Sequence, residues 1–160
     1  MQIEMKPIAS IRPYPKNPRR NDNAVSAVAR SLREYGFRQP IVVDADGVIV
    51  VGHTRWRAAK ELGLTEVPVH VANELTPEQA KAYRIADNQT ATIAEWDLDL
   101  LPVELRELQN LGLDLATLGF DDAELKELFA PKPTEGETEA DDVPDTPTVA
   151  TAQPGDVWLL

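Results

Sequence analysis

The spacing of apolar residues predicts an amphipathic helix in the first quarter of the chain. Between residues 22 and 36, apolar side chains follow the i, i+3, i+4, i+7 pattern of one helix face: Val25, Val28, Ala29 and Leu32. We expect Asp22 or Asn23 to cap this helix at its start, and Gly36 to end it.

Two β-branched runs, residues 41–43 and 48–51, predict a hairpin. They flank residues 44–47, Asp-Ala-Asp-Gly, and an Asp-Gly pair is the strongest short hairpin signal. Because both arms are runs of Ile and Val, we expect the hairpin to lie at the centre of its sheet. Further strands are predicted over residues 2–7 and 67–71.

Helical stretches fill most of the remaining chain. Gly52 opens a helix directly after the second arm of the hairpin. Residues 76–79, Thr-Pro-Glu-Gln, form a capping-box sequence with proline at the first helical position, and predict a helix to about residue 90. Two amphipathic segments follow at 102–111 and 121–129. The order β-α-β-β-α-β-α followed only by helices indicates an α+β domain with a helical annex.

Charge is divided unevenly along the chain. The formal net charge is −11, yet residues 1–72 carry 11 Lys and Arg against 7 Asp and Glu. The corresponding counts are 4 and 13 for residues 73–130, and 1 and 7 for residues 131–160. Only the first region, with a net charge of +4, is therefore expected to attract a polyanion such as nucleic acid.

The C-terminal stretch has the composition of a linker. Residues 131–153 are rich in proline and acidic residues and lack an apolar period, which predicts a disordered, self-repelling linker. Residues 154–160, Pro-Gly-Asp-Val-Trp-Leu-Leu, then have the pattern of a turn and the start of a strand. Either they are an apolar C-terminal tag, or they begin a second domain that is cut short.

Composition excludes several classes of protein. The chain has no cysteine, which excludes disulfide scaffolds, thiolate metal sites and cysteine nucleophiles. Its longest apolar run, residues 48–51, is far shorter than the roughly 20 residues that a membrane span needs, and the N-terminus lacks a signal pattern. We therefore expect a cytoplasmic protein that does not bind membranes. No metal site is predicted, because His53 has no second ligand at a suitable spacing.

The turn from strand to helix at residues 51–57 is the candidate site. Gly52 allows close backbone approach, and the start of the helix presents unpaired N–H groups. Arg55 and Arg57, in the first turn, oppose the helix dipole unless an anion neutralises both charges. A bound phosphate is the simplest explanation for two arginines at this helix start. The alternative is that both arginines face solvent or pair with one of three carboxylates: Glu34, Asp44 or Glu61.

Several short motifs along the chain resemble those of a known family. They are Asn17-Pro18-Arg19, Glu34-Tyr35-Gly36, Gln39-Pro40-Ile41-Val42-Val43, Gly52-His53-Thr54-Arg55-Trp56-Arg57-Ala58-Ala59 and Val67-Pro68-Val69. In this order they resemble the ParB N-terminal (ParB/sulfiredoxin-like) domain over about residues 3–90. The resemblance implies a small mixed sheet with packed helices, followed here by the helical annex and the acidic linker.

The resemblance also implies phosphate chemistry at particular positions. The nucleotide- or phosphate-binding positions are Gly36, Gln39, Pro40, Gly52, His53, Thr54, Arg55 and Arg57. His53 and Thr54 stand where the partitioning proteins of the family have Glu and Arg, and their Glu-Asn-x-Gln-Arg stretch is essentially missing. The cofactor that the family implies is CTP or ATP with Mg²⁺. Sulfiredoxin activity is excluded, because the cysteine of its Gly-Cys-His-Arg motif is absent.

A second resemblance is narrower. Residues 84–91, Arg-Ile-Ala-Asp-Asn-Gln-Thr-Ala, and the Pro-Gly-Asp-x-Trp-x-Leu stretch at 154–160 resemble proteins, phage and bacterial, that join a ParB-like domain to a site-specific DNA methyltransferase. The expected organisation is a ParB-like domain, an acidic helical annex, a linker and the truncated start of a methyltransferase-like domain, over residues 1–91, 92–130, 131–153 and 154–160.

The first functional hypothesis is an accessory module of a DNA-modifying enzyme. It would bind nucleotide or DNA phosphate through residues 52–57, with Arg19, Arg20 and Arg38 contacting DNA. The expected partners are DNA, a nucleotide, a covalently linked methyltransferase domain and a second copy of the chain.

Two alternatives remain open. One is an NTP-dependent enzyme, a CTPase, ATPase or phosphotransferase, that uses the turn from Gly52 to Arg57 as a phosphate cradle. Asp44, Asp46 or Asp87 would then be the metal ligand or base, and no spacing selects one as catalytic. The other is an interaction module whose acidic region, residues 73–130, binds a basic partner.

Overall fold

A four-stranded mixed sheet is the centre of the fold in the computed structural model, which describes residues 2–131. The strands are β1 (Glu4–Pro7), β2 (Ile41–Val43), β3 (Ile49–Val51) and β4 (Glu66–Val71), in the spatial order β1-β4-β2-β3. The pair β2 and β4 is parallel, and the pairs β1 with β4 and β2 with β3 are antiparallel. The predicted α+β class with a small mixed sheet is confirmed.

Five α-helices accompany the sheet in the described part of the chain. They are α1 (Val25–Tyr35), α2 (His53–Glu61), α3 (Pro77–Thr90), α4 (Leu101–Asn110) and α5 (Asp122–Leu128). Short 3₁₀ turns lie at Ile8–Ser10, Asp22–Ala24 and Leu115–Leu118. No helix among residues 2–131 combines the length and the apolar character that crossing a membrane requires.

The predicted ends of two helices are confirmed. The hydroxyl of Thr76 accepts the backbone N–H of Gln79 at 3.2 Å, and the Gln79 side chain accepts the N–H of Thr76 at 2.9 Å, so α3 begins with the capping box. Gly36 ends α1 with φ +73°, and its N–H donates to the carbonyl of Leu32.

The predicted cap of α1 is wrong. Ala24 is the N-terminal capping residue, and it makes no side-chain cap hydrogen bond. Asp22 belongs to a preceding 3₁₀ turn, and its carboxylate is held by Arg57 of α2 instead. The side chain that the local pattern assigned to the helix cap therefore forms a long-range ion pair instead.

The predicted central position of the hairpin is also wrong, because β3 is the terminal strand of the sheet. Its outer edge is nevertheless covered. The N–H of Ile49 donates to the carbonyl of Arg12 at 2.9 Å, and the carbonyl of Ile49 accepts from Nε of Arg84 at 2.9 Å. The side chain of Ile49 is buried in the core, and this cover shields its backbone groups without a further strand.

The hydrophobic core lies between the sheet and α2. The sheet contributes fully buried side chains from three strands: Ile41, Ile49, Val67 and Val69. Ala58 and Ala59 of α2 are also fully buried, and α1 packs against α2 through Val25 and Ala29. Two small residues at adjacent positions let the helix approach both neighbours closely. This packing fixes the orientation of the first turn of α2, where the candidate site lies.

The described helices of the annex belong to the same compact unit as the sheet. That unit spans Met1–Ala130. The Leu115–Leu118 turn packs on α1, where Nε of Arg30 donates to the carbonyl of Ala116 at 3.2 Å. The boundary expected between residues 91 and 92 stays a prediction. From residue 132 onward, the predicted linker and the predicted start of a further domain lie outside the described residues.

Candidate functional site

A cleft of about 560 Å³ opens between the end of α1 and the start of α2. The residues predicted from the sequence that line it are Gly36, Arg38, Gln39, Gly52, His53, Thr54 and Arg55. Asp87 of α3 lines it as well. Most of the predicted nucleotide-binding positions are therefore brought together, although they come from two separate stretches of sequence.

Gly52 is required at the base of the cleft by both its backbone and its surroundings. Its φ of +100° is a left-handed conformation that side chains disfavour. A Cβ atom there would lie 3.1 Å from Nε of Arg55 and 3.5 Å from Cα of Ile41. The guanidinium of Arg55 thus lies directly against the glycine, at the N-terminal end of α2.

Arg55 carries an unneutralised positive charge into the cleft. Its side chain is half-buried, and Nη1 donates to the side-chain oxygen of Gln39. Burial lowers the pKa of Arg55, and the negative charge of Asp87 opposes that shift. The guanidinium remains protonated, because an arginine pKa starts so high. Among the described residues, no carboxylate oxygen lies within 4.0 Å of it.

Arg57 lies on the other side of α2 and is neutralised. Its Nη2 forms an ion pair with Asp22 at 2.7 Å, and Nη1 donates to Asn21 at 3.2 Å. The hydrogen bond from Arg57 in turn lowers the pKa of Asp22. Arg57 thus has a carboxylate partner, as the alternative to a phosphate supposed, but that partner is Asp22 and none of the three carboxylates named there. Arg55 and Arg57, two positions apart, therefore face different surfaces.

Arg57 lines a second depression, the basic groove, of about 220 Å³. Its polar lining includes Asn17, Arg19, Arg20, Asn21, Asp22 and Arg57. Nη1 of Arg19 also donates to the backbone carbonyl of Asn88 in α3 at 3.0 Å. Two of the predicted DNA-contacting residues thus lie together in the groove, whereas Arg38 lines the cleft.

His53 lies between the cleft and the basic groove and lines both. Its Nε2 accepts the backbone N–H of Tyr14 at 3.2 Å, so that nitrogen carries no proton. Burial lowers the pKa of His53, and the charge of Arg84 lowers it further. The ring is therefore neutral near pH 7. Pro40 lines neither depression and stands just before β2.

Arg84, the first residue of the 84–91 motif, has a structural role that its sequence pattern did not predict. It is only 7% exposed, and Nη2 forms an ion pair with Asp44 at 3.0 Å. Its guanidinium also lies 4.2 Å from the ring centre of Tyr14. The available signal was its position four residues after Ala80, on the buried face of α3.

The structure separates the three candidate acids. Asp44 accepts the N–H groups of Asp46 and Val48 as well as Arg84, so it holds the hairpin turn. Asp46 lies beside it, away from the cleft. Of the three, only Asp87 lines the cleft. Within the described part of the chain, no three His, Asp or Glu residues are grouped so that they could hold a metal ion.

Comparison with known families and structures identifies this fold. The ParB N-terminal domain matches residues 1–89, more than half of the chain. The chain belongs to the ParB N-terminal domain family. A second family, described as the ParB-methyltransferase HTH domain, matches residues 99–154.

Individual ParB relatives support this assignment. The chromosome-partitioning protein Spo0J of Thermus thermophilus is 38% identical over 103 residues, which cover 61% of this chain and 36% of that protein. The ParB-like nuclease domain-containing protein YnaK of Escherichia coli is 34% identical over 80 residues, 49% of this chain and 92% of that protein. The match thus spans only about a third of the Thermus relative.

A solved ParB structure has a similar fold. The truncated chromosome-partitioning protein ParB of Caulobacter crescentus, complexed with CTP-gamma-S, is similar to this chain with a TM-score of 0.66 and 25% identity. The similarity covers 80% of this chain and 77% of that one. The similar part therefore extends past the sheet into the helices that follow it.

Proposed function

We propose that the cleft binds the phosphates of a nucleoside triphosphate, with CTP as the first candidate. The main support is the environment of Arg55. Its half-buried guanidinium lies at the start of α2, and no carboxylate among the described residues contacts it. A phosphate there would receive both this charge and the N–H groups of the helix start. The relative from Caulobacter that was crystallised with CTP-gamma-S supports the choice of nucleotide.

Substitutions in the cleft distinguish this chain from the partitioning proteins. A neutral His53 and the hydroxyl of Thr54 replace a carboxylate and a guanidinium, so one negative and one positive charge are removed together. Nδ1 of His53 is the ring nitrogen that holds the proton, because Nε2 accepts from Tyr14. Mg²⁺, if it accompanies the nucleotide, would be held mainly by phosphate oxygens, with Asp87 as the nearest carboxylate of the cleft.

The test compares two arginines on the same helix. Arg55→Ala is expected to weaken CTP-gamma-S binding about tenfold or more, since a hydrogen bond to a charged group contributes about 1.5–3 kcal/mol. Arg57→Ala is the matched control and is expected to change affinity less than about twofold. Isothermal titration calorimetry with CTP-gamma-S and ATP measures both. Equal losses in the two variants, or no binding by the unaltered chain, would contradict the proposal.

We further propose that the chain is an accessory module that binds DNA through the basic groove and serves a DNA methyltransferase. The match of residues 99–154 to the ParB-methyltransferase HTH domain supports the association with that enzyme. The tether would be the acidic stretch that begins near residue 131. Sequencing the gene beyond the codon of Leu160 tests this part, and a stop codon there would remove the covalent form of the proposal.

One observation favours an enzyme as the second candidate. Asp87 faces the cleft and lies close enough to Arg55 to influence its pKa, which is the position of a metal ligand or base near a bound phosphate. Phosphate release from CTP, ATP and GTP, with and without DNA, tests this. Release that Asp87→Asn abolishes while CTP-gamma-S binding persists would support catalysis. No release with any nucleotide would overturn it.

A further inference from the structure

Helix α4 has an apolar face that nothing in the described structure covers. Its inner face packs inward through Leu105, which is 2% exposed. On the opposite side Leu100, Val103 and Leu111 are 64%, 50% and 76% exposed. Their spacing of 3 and 8 residues keeps them on one side of the helix. This exposed face, the outer stripe, is a surface that a partner could bury.

Acidic side chains surround the outer stripe. Glu104 and Glu107 are exposed and lie one to four positions from Val103, on the same side of α4. Across residues 92–130 there are 10 Asp and Glu and 2 Lys and Arg. Such a surface repels a phosphate backbone, which binds by releasing counterions to Lys and Arg. DNA is therefore a poor occupant of this face, although its residues match a family described as an HTH domain.

The acidic and apolar pattern continues before α4. Trp96 and Leu98 are 67% and 61% exposed, and they alternate with acidic residues: Glu95, Asp97 and Asp99. The ring centres of Trp96 and Phe120 lie 6.1 Å apart, so one side of the Trp96 ring faces Phe120. Oδ1 of Asp97 accepts the N–H of Leu100 at 3.1 Å, which joins this segment to the start of α4.

Charge also disfavours two occupants from this chain itself. The same acidic face of a second copy would repel its counterpart. Residues 131–160 carry 7 Asp and Glu and 1 Lys, so they have the same sign. A favourable occupant must bring both apolar area and positive charge.

We infer that the outer stripe, together with Trp96 and Leu98, docks a basic amphipathic helix of a protein partner. The apolar side of that helix would bury Val103 and Leu111, and its flanking Lys or Arg side chains would reach Glu104 and Glu107. This is the helix-to-surface mode of recognition, in which side chains one and two turns apart supply the anchors. The proposal is independent of nucleotide binding, which uses other elements of the fold.

The probe for this surface is an amphipathic Leu/Lys peptide of about three heptads, labelled for fluorescence anisotropy with the full chain. Val103→Ser with Leu111→Ser is expected to weaken its binding at least about tenfold, because two apolar anchors are removed. Ile3→Ser, a similar change at a residue that is 51% exposed near the other end of the chain, is the control and is expected to leave binding within about twofold. Circular dichroism and urea unfolding of each variant test whether the fold is retained.

A second variant tests the charge. Glu104→Gln with Glu107→Gln is expected to weaken binding about threefold at low salt and to reduce its salt dependence. A scrambled peptide of the same composition that binds equally well would overturn the proposal, as would unchanged affinity in both double variants. Two further results in the Val103 and Leu111 variant would also overturn it. Loss of DNA binding would assign the face to DNA, and loss of a concentration-dependent dimer in sedimentation would assign it to a second copy of the chain.

Discussion

At the scale of single residues, Gly52 and Arg55 are one unit. Nε and Nη2 of the guanidinium lie 3.1 and 3.3 Å from where a Cβ atom of residue 52 would be, so an added methyl group would press on the arginine as well as strain the φ of +100°. Gly63 offers a contrast, because its φ is also positive, +70°, while nothing lies within 4 Å of its Cβ position. Comparing alanine substitutions at the two glycines therefore distinguishes backbone strain, which both share, from steric conflict, which only Gly52 has.

Gly52→Ala is expected to lower the free energy of unfolding more than Gly63→Ala does. Gly63→Ala carries only the strain of the left-handed conformation, about 1–2 kcal/mol. Gly52→Ala adds a tight contact that Arg55 must relieve by shifting a few tenths of an ångström, so CTP-gamma-S binding should fall with it. Urea unfolding and calorimetry on both variants measure these effects. Intact nucleotide binding in Gly52→Ala would contradict the coupling of the two residues.

His53 gives the fold a dependence on pH. Its pKa is lowered in the folded chain by burial and by Arg84, so the unfolded chain takes up the proton first. Stability should therefore fall as the pH drops below about 6.5, the ordinary histidine pKa, and level off below the folded pKa. The urea midpoint measured from neutral to mildly acidic pH should show this decline. His53→Gln should reduce it, and an undiminished decline in that variant would show that His53 is not its source.

At the scale of elements, α3 connects three parts of the fold within about one turn. Arg84 binds the edge of β3 and the hairpin turn, Asp87 lines the cleft, and Asn88 accepts from Arg19 of the basic groove. Through these contacts α3 places the Asp87 carboxylate in the cleft and holds Arg19 in the basic groove. Its placement depends chiefly on Arg84, the one residue of these three that is buried.

Arg84→Met is expected to lower the free energy of unfolding by about 3 kcal/mol, the lower end of the range for breaking a buried ion pair, because Asp44 retains some contact with water. Arg33→Met, at an exposed position of α1, is the control and should change stability by less than about 0.5 kcal/mol. Urea unfolding followed by circular dichroism compares them. A decrease in Arg84→Met no larger than in the control would show that the ion pair does not hold α3.

Local signals made several elements predictable from the sequence. The capping box of α3 and the terminal glycine of α1 act within a few residues, so spacing alone reveals them. The ion pair between Asp22 and Arg57, and the cover of Ile49 by Arg12 and Arg84, join residues that lie far apart in the chain. Their outcome depends on how elements pack, which no local pattern records. The helical spacing of Arg55 and Arg57, two positions apart, already places them on different faces of α2, but it could not show that Asp22 is the residue that neutralises Arg57.

At the scale of the whole molecule, positive and negative charge occupy different parts of the chain. The basic groove belongs to residues 1–72, with a net charge of +4, and the helices after α3 belong to a strongly acidic stretch. A polyanion should therefore approach the groove and avoid α4 and α5.

This division predicts how DNA binding responds to salt. Replacing Arg19 and Arg20 by alanine should weaken binding and reduce the slope of log K against log salt by about 2, close to one unit for each arginine that no longer neutralises a phosphate. Arg106→Ala, in the acidic stretch, should leave both the affinity and the slope unchanged. Fluorescence anisotropy with a duplex at several salt concentrations measures the slopes. Equal slopes in the unaltered chain and both variants would remove the groove as the DNA surface.

The cover over β3 also bears on how the molecule behaves among its own copies. An Ile-Val-Val strand at the end of a sheet is a template for pairing with other chains when its N–H and C=O groups are free. Here the backbone of Arg12 and the side chain of Arg84 occupy the outward groups of Ile49. This cover is therefore expected to oppose strand pairing between copies, and its loss would be seen as association that increases with protein concentration.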